Sequence, residues 1–76
     1  MIATHNIQSV FFEENIICLN IDGKSVRLPL NKVSKKLEAA TEMQRSLYSI
    51  SPSGYGIHWP LIDEDLSIDS LLKIAS

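Results

Sequence analysis

Residues 54–67, GYGIHWPLIDEDLS, hold the densest group of side chains able to do chemistry in this chain. His58 precedes the acidic run Asp63, Glu64 and Asp65. An imidazole with nearby carboxylates is a ligand set that zinc or manganese accepts. The spacing, however, matches no recognised metal motif. The run is not a calcium loop either, because it lacks a glycine at the sixth position and a glutamate at the twelfth. A structural account covers the same residues. Trp59 is a core anchor whose indole N–H needs a partner at the sheet margin. Pro60 ends a strand. Negative charge is favoured where a helix begins. We therefore expect a structural junction here, with no catalytic residue, metal or cofactor. Asp63 and Asp65 alternate with Glu64, so at most one or two of the three can point inward. An inward carboxylate should accept backbone N–H bonds. The others should face solvent, where a basic partner can read them.

Three further groups carry chemistry. Cys18 would be a nucleophile if His5 or His58 approached it, and Arg27 opposite would lower its pKa. No strained elbow or oxyanion loop accompanies it, which favours an idle or structural thiol. Ser51, Ser53, Gly54 and Gly56 lack the lysine and the strand–loop–helix setting of a phosphate loop, and they suit a hairpin tip. Lys32, Lys35, Lys36 and Arg45 form a basic middle segment that we take as a candidate partner surface. Without an aromatic platform, and on a chain of net charge -2, they make a weak nucleic-acid footprint.

These groups must be positioned by strands and short helices. Residues 7–30 read as three strands. Asp22-Gly23 is a two-residue hairpin signal, because both positions need positive φ. It sets Leu19 opposite Val26 and Ile17 opposite Leu28 on one apolar face, with Cys18, Asn20, Ser25 and Arg27 on the other. A tight turn near Glu14-Asn15 joins the first two strands. Two turn residues put Val10 and Phe12 on the core face, whereas three put Phe11 there. Pro29 ends the third strand or leaves it at an edge.

Residues 31–46 change to a helical period, with Val33, Leu37, Ala40 and Met43 on one stripe. The helix should run to about Ala39 or Ala40. Thr41 and Gln44 then match a capping box for a short second turn. Residues 47–59 read as a hairpin around Pro52-Ser53-Gly54. Ser67 caps a final helix whose stripe is Ile68, Leu71, Leu72 and Ala75. Leu66 and Leu71 are spaced as a hydrophobic staple. The fold class is α+β. An antiparallel sheet of about five strands, a three-stranded meander plus a second hairpin, carries the middle and C-terminal helices on one face.

The 76 residues and 45% hydrophobic content suit one globular domain over residues 1–76. A chain this short buries only about 60% of its unfolded surface. A deep substrate cavity would consume that core, and pairing with a partner would add to it. One cysteine permits no internal disulfide and fits a reducing compartment. Neither a signal peptide nor a membrane span is expected, so the chain should be cytoplasmic.

The stretch GYGIHWPLIDEDLSIDSLL resembles the bacterial domain-of-unknown-function family 2442. The family's glycine-rich turn, His-Trp-Pro, Asp-Glu-Asp and paired leucines are similar to Gly54, Gly56, His58, Trp59, Pro60, Asp63, Glu64, Asp65, Leu71 and Leu72. The upstream meander, middle helix and TEMQR break fit as well. One departure lies at residues 32–37, where relatives carry an aromatic W-x-P-x-L pattern and this chain has a more basic run. Some relatives continue into a helix–turn–helix DNA-binding domain, and none is expected within these residues. The resemblance implies an α+β fold without an established enzymatic activity. It also implies a neighbour-encoded partner, since members often lie beside family 4160 in what looks like a toxin–antitoxin pair.

The functional expectation is a non-enzymatic protein-interaction module, the antitoxin-like or regulatory half of a two-protein system. A homodimer is compatible with it. The alternative is a small nucleic-acid-binding regulator using the basic middle helix. A metal-dependent enzyme at His58 and the acidic run is the weakest reading.

Overall fold

Two short turns organise the first sheet. In the computed structural model, which describes residues 5–75, Asp22 and Gly23 take φ of 52° and 82°. Both are left-handed, as a type I′ hairpin turn requires. Strand β2 (Ile16–Ile21) thereby pairs with β3 (Lys24–Pro29), placing Leu19 opposite Val26 and Ile17 opposite Leu28. This is the expected register. Glu14, at φ 53°, begins a second two-residue turn. It pairs β1 (Ile7–Glu13) with β2, with Val10 opposite Leu19 and Phe12 opposite Ile17. The choice left open by the sequence is thus resolved in favour of the two-residue turn. Val10 and Phe12 pack on the core, and Phe11 is 46% exposed. Only part of the N-terminal segment read for a leader is described, because residues 1–4 lie outside the described residues.

After Pro29 the chain turns into α1 (Leu30–Val33), α2 (Lys35–Ala39) and α3 (Glu42–Ser46). The expected first helix is therefore interrupted. Ser34 is extended, and its hydroxyl accepts the Leu37 N–H at 3.1 Å. A serine that satisfies a helix start competes with continuing the previous helix. Val33 and Leu37 still reach the core, but Met43 is 69% exposed, because the breaks swing α3 off the predicted stripe. The Thr41–Gln44 capping box forms as expected.

The second sheet holds β4 (Ser49–Ile50), β5 (Gly56–Trp59) and β6 (Glu64–Ser67), in that order. The hairpin around Pro52 is the predicted one, but β6 is an addition. Asp63 adopts a φ of 50° and turns the chain back after Pro60. Glu64 and Leu66 then alternate inward while Asp65 and Ser67 face out. Glu64 and Asp65 thus begin a strand, with Asp63 in the turn before it, and two three-stranded sheets take the place of one sheet of about five. Ser67 caps α4 (Ile68–Ala75) by accepting the Ser70 N–H at 3.0 Å.

One core joins these parts. Ile17, Leu19, Val26 and Leu28 from the first sheet meet Leu30, Leu37, Ile68 and Leu71 from the helices, and Ile57 and Trp59 from β5. Trp59 is fully buried. Phe12 meets it edge-on at 6.3 Å between centroids, and Tyr48 lies tilted at 6.2 Å. Its indole N–H donates to the Arg45 carbonyl at 3.0 Å, which is the partner such a buried group requires. Among the described residues no helix is long and apolar enough to cross a membrane. Trp59→Ala should cost roughly 3–5 kcal/mol, most of what a domain of this size holds. Urea unfolding checks this, and a midpoint near wild type would contradict it.

Candidate functional site

The carboxylates of the signature stretch diverge. Glu64 points inward, where Oε2 accepts the Ser34 hydroxyl and Oε1 accepts the Asp65 N–H at 3.1 Å. It ties β6 to the residue that caps α2. Asp65 points outward and meets His58 Nδ1 across the β5–β6 pair at 2.6 Å. Both partners are solvent-accessible, and such surface pairs contribute little to stability. Asp63 occupies the turn, and its carbonyl accepts Lys36 Nζ at 3.0 Å. Among the described residues, no three potential ligands gather around one point. The inward carboxylate is therefore Glu64. It does accept the backbone bond expected of such a group, from its own neighbour.

Cys18 lies opposite Arg27 as expected, but its pKa moves the other way from the one Arg27 alone would give. It lies on the sheet face away from the core, yet it is 2% exposed. Its register partners are Phe11 and Arg27, and Glu13 approaches its Sγ at 3.9 Å. Glu13 in turn binds Arg27 at 3.1 and 3.3 Å. Burial pushes the thiol pKa up and outweighs the opposing pull of Arg27. A thiol held protonated is a poor nucleophile.

The hairpin tip has a packing role. Ser51 Oγ accepts the N–H groups of Tyr55 and Gly56, each at 3.1 Å. Gly54 takes a φ of 69°, and a Cβ there would stand 1.9 Å from the His5 carbonyl oxygen. His5 itself is a clasp that the sequence reading missed. Nδ1 meets Asp22 and Nε2 meets Asp69, each at 2.9 Å. Asp22 also accepts the Asn6 N–H at 2.8 Å. These residues are far apart in sequence, and no local pattern announces their meeting. Hydrogen bonds to Asp22 and then Asp69 hold the His5 pKa above its ordinary value. The Asn6 N–H and then His5 hold the Asp22 carboxyl below its own.

The basic surface is smaller than predicted. Arg45 spends its donors on the carbonyls of Leu37, Glu14 and Glu38 at 2.9, 2.8 and 3.1 Å. Its guanidinium also lies 5.3 Å from the Phe12 ring centre. Arg45 is therefore a strut between α3, the end of α2 and the β1–β2 turn, and not an available surface cation. Lys36 is drawn to Asp63. Lys32 and Lys35 remain exposed on α1 and α2.

A groove of about 560 Å³ runs between β1 and α3, lined by Val10, Phe11, Phe12, Glu14, Glu42, Arg45, Ser46 and Tyr48. Strand β1 is the outer strand of its sheet. A two-residue turn makes its flanking residues, Glu13 and Ile16, a hydrogen-bonded pair, and such pairs alternate along the ladder. Phe11 with Cys18 is then the next bonded pair. Val10 and Phe12 direct their backbone N–H and C=O away from β2, into the groove. Tyr48 Oη donates to the Val10 carbonyl at 3.5 Å, which places that carbonyl on the open side. Met43 on α3 and Leu47 just after it are also exposed.

Residues 7–76 match the family model described as "Protein of unknown function (DUF2442)". Among curated proteins, none matches the sequence. The fold is similar to the crystal structure of a protein of unknown function from Rhodospirillum rubrum, with a TM-score of 0.72 and 22% sequence identity. That similarity covers 97% of this chain and 93% of the other.

The His5 clasp has a pH signature. A raised folded pKa stabilises below the unfolded value of about 6.5, and the contribution is lost as pH rises through the folded value. Asp22, with its pKa lowered, contributes above its unfolded value and loses that contribution as pH falls. Urea midpoints should therefore decline from pH about 6 towards mildly alkaline pH. His5→Gln should remove that component of the slope, and an unchanged slope would contradict the clasp.

Proposed function

The chain belongs to the DUF2442 family of proteins of unknown function, and on that premise we propose that it is a non-enzymatic protein-interaction module. It serves as the antitoxin-like or regulatory half of a two-protein system, with a neighbour-encoded small protein as its partner. The observation that carries this reading is the open edge of β1. Its outward backbone groups face an accessible groove rather than another strand. An unpaired edge is a ready template for a second chain, and its main-chain hydrogen bonds supply affinity. Phe11, Met43 and Leu47 add exposed apolar surface of the kind interfaces use.

The chemistry of the other candidates supports the same reading. Cys18 is buried and protonated. His58 and Asp65 satisfy each other at the surface, and Glu64 is engaged with Ser34. A single free thiol suits a reducing compartment, so we place the pair in the cytoplasm. The nucleic-acid reading has less to draw on, because the Arg45 guanidinium is turned to carbonyls within the fold.

Co-expression with the neighbouring gene product tests the proposal. The two proteins should purify together in stoichiometric amounts. Val10→Pro should reduce recovery, since it removes an outward N–H while sparing the β1–β2 ladder. Lack of co-purification, together with salt-sensitive binding to DNA or RNA, would overturn the reading in favour of a nucleic-acid regulator.

A further inference from the structure

The groove beside β1 has backbone polarity, size and charge, and together these describe its occupant. We infer that it receives one extended segment of another protein by strand addition, with apolar side chains at alternate positions and lysine or arginine between them. This deepens the interaction reading and rests on it.

Backbone polarity comes first. The N–H and C=O groups of Val10 and Phe12 point into the groove, two residues apart, which is the repeat an added strand satisfies. The Tyr48 hydroxyl touches the Val10 carbonyl at 3.5 Å. A bond that long is weak and readily surrendered to an incoming N–H. Size follows. Strand spacing, rise and sheet separation give roughly 160 Å³ per residue of added strand. A volume of about 560 Å³ then holds roughly three to four residues. That suits one short strand rather than a folded element.

Charge selects the sequence. Glu14 and Glu42 line the groove, are exposed, and take part in no ion pair among the described residues. Arg45 also lines it, but its donors are turned to backbone carbonyls. Arg45 keeps its positive charge, so the lining carries one excess negative charge, and the two carboxylates are the groups that can accept from an incoming cation. Apolar side chains of the incoming strand would lie beside Val10, Phe12 and Tyr48. Its basic side chains alternate with these onto the strand's other face, and their long flexible stems carry the cations round the open edge to the carboxylates. A second copy of this chain fits poorly, because its own β1 would bring Glu13 and Glu14 against the same carboxylates. Like charges brought together in this way disfavour the pairing.

Two fluorescent peptides of about seven residues, one alternating lysine with valine and one alternating glutamate with valine, supply the probes. Fluorescence anisotropy should show the basic peptide binding at least roughly tenfold more tightly than the acidic one. Charge reversal by Glu14→Lys with Glu42→Lys should invert that order. Methylating the peptide's backbone nitrogens on the face that meets β1 should abolish binding, and methylating the alternate nitrogens should not. Those peptide variants leave the protein untouched, so the result holds even if Val10→Pro perturbs folding. Equal binding of both peptides, or indifference to the pattern of methylation, would overturn strand addition. So would no binding of the basic peptide at millimolar concentration. A neighbour-encoded protein that co-purifies, but is not displaced by a basic peptide that binds, would also sink this inference while leaving the interaction reading intact.

Discussion

A two-residue turn at Glu14-Asn15 is the constraint on which both core and candidate interface depend. It makes Glu13 and Ile16 a hydrogen-bonded pair, and the strict alternation of the ladder does the rest. Side chains of Val10 and Phe12 go to the core with Leu19 and Ile17. The backbone groups of the same two residues go to the open side. A turn one residue longer would reverse both outcomes at once, sending Phe11 inward and changing which amides face the groove. The interior and the interaction edge are thus set by one piece of geometry.

Trp59 carries that geometry across the molecule. Through Phe12 it meets β1, and through Tyr48 and the Arg45 carbonyl it meets the segment that walls the groove. Arg45 reaches back to the Glu14 carbonyl in the turn itself. The groove is therefore framed by Phe12 on one side and by Tyr48 and Arg45 on the other, each tied to the core or to backbone carbonyls. A pre-formed site of this kind loses little conformational freedom on binding. Ser34 performs a similar service on the other side of the core. It caps α2 and donates to Glu64, so an unexpected break in a helix becomes the attachment point of β6.

Where the chemistry is local, the sequence was informative. Asp22-Gly23 with its flanking apolar alternation, the Thr41–Gln44 box and the Ser67 cap each depend on neighbours only a few residues away. Trp59 was legible because a lone large aromatic in a small domain has few places to go. The break at Ser34 was not, because a serine inside a helical period is neutral until a partner such as Glu64 arrives from thirty residues downstream. Strand β6 was hidden for a related reason. Its acidic start reads as helix-favouring charge, and only pairing with β5 makes it a strand. The role of Arg45 was misjudged because its partners are backbone carbonyls, which leave no trace in residue types. The His5 clasp and the groove are products of tertiary assembly alone.

Amide hydrogen exchange along β1 in the free protein is the most direct measure of the edge. The account predicts an alternation, with the Phe11 and Glu13 N–H groups protected by β2 while those of Val10 and Phe12 exchange rapidly. Protection of Val10 and Phe12 equal to that of Phe11 and Glu13 would contradict it, since the edge would then already be covered.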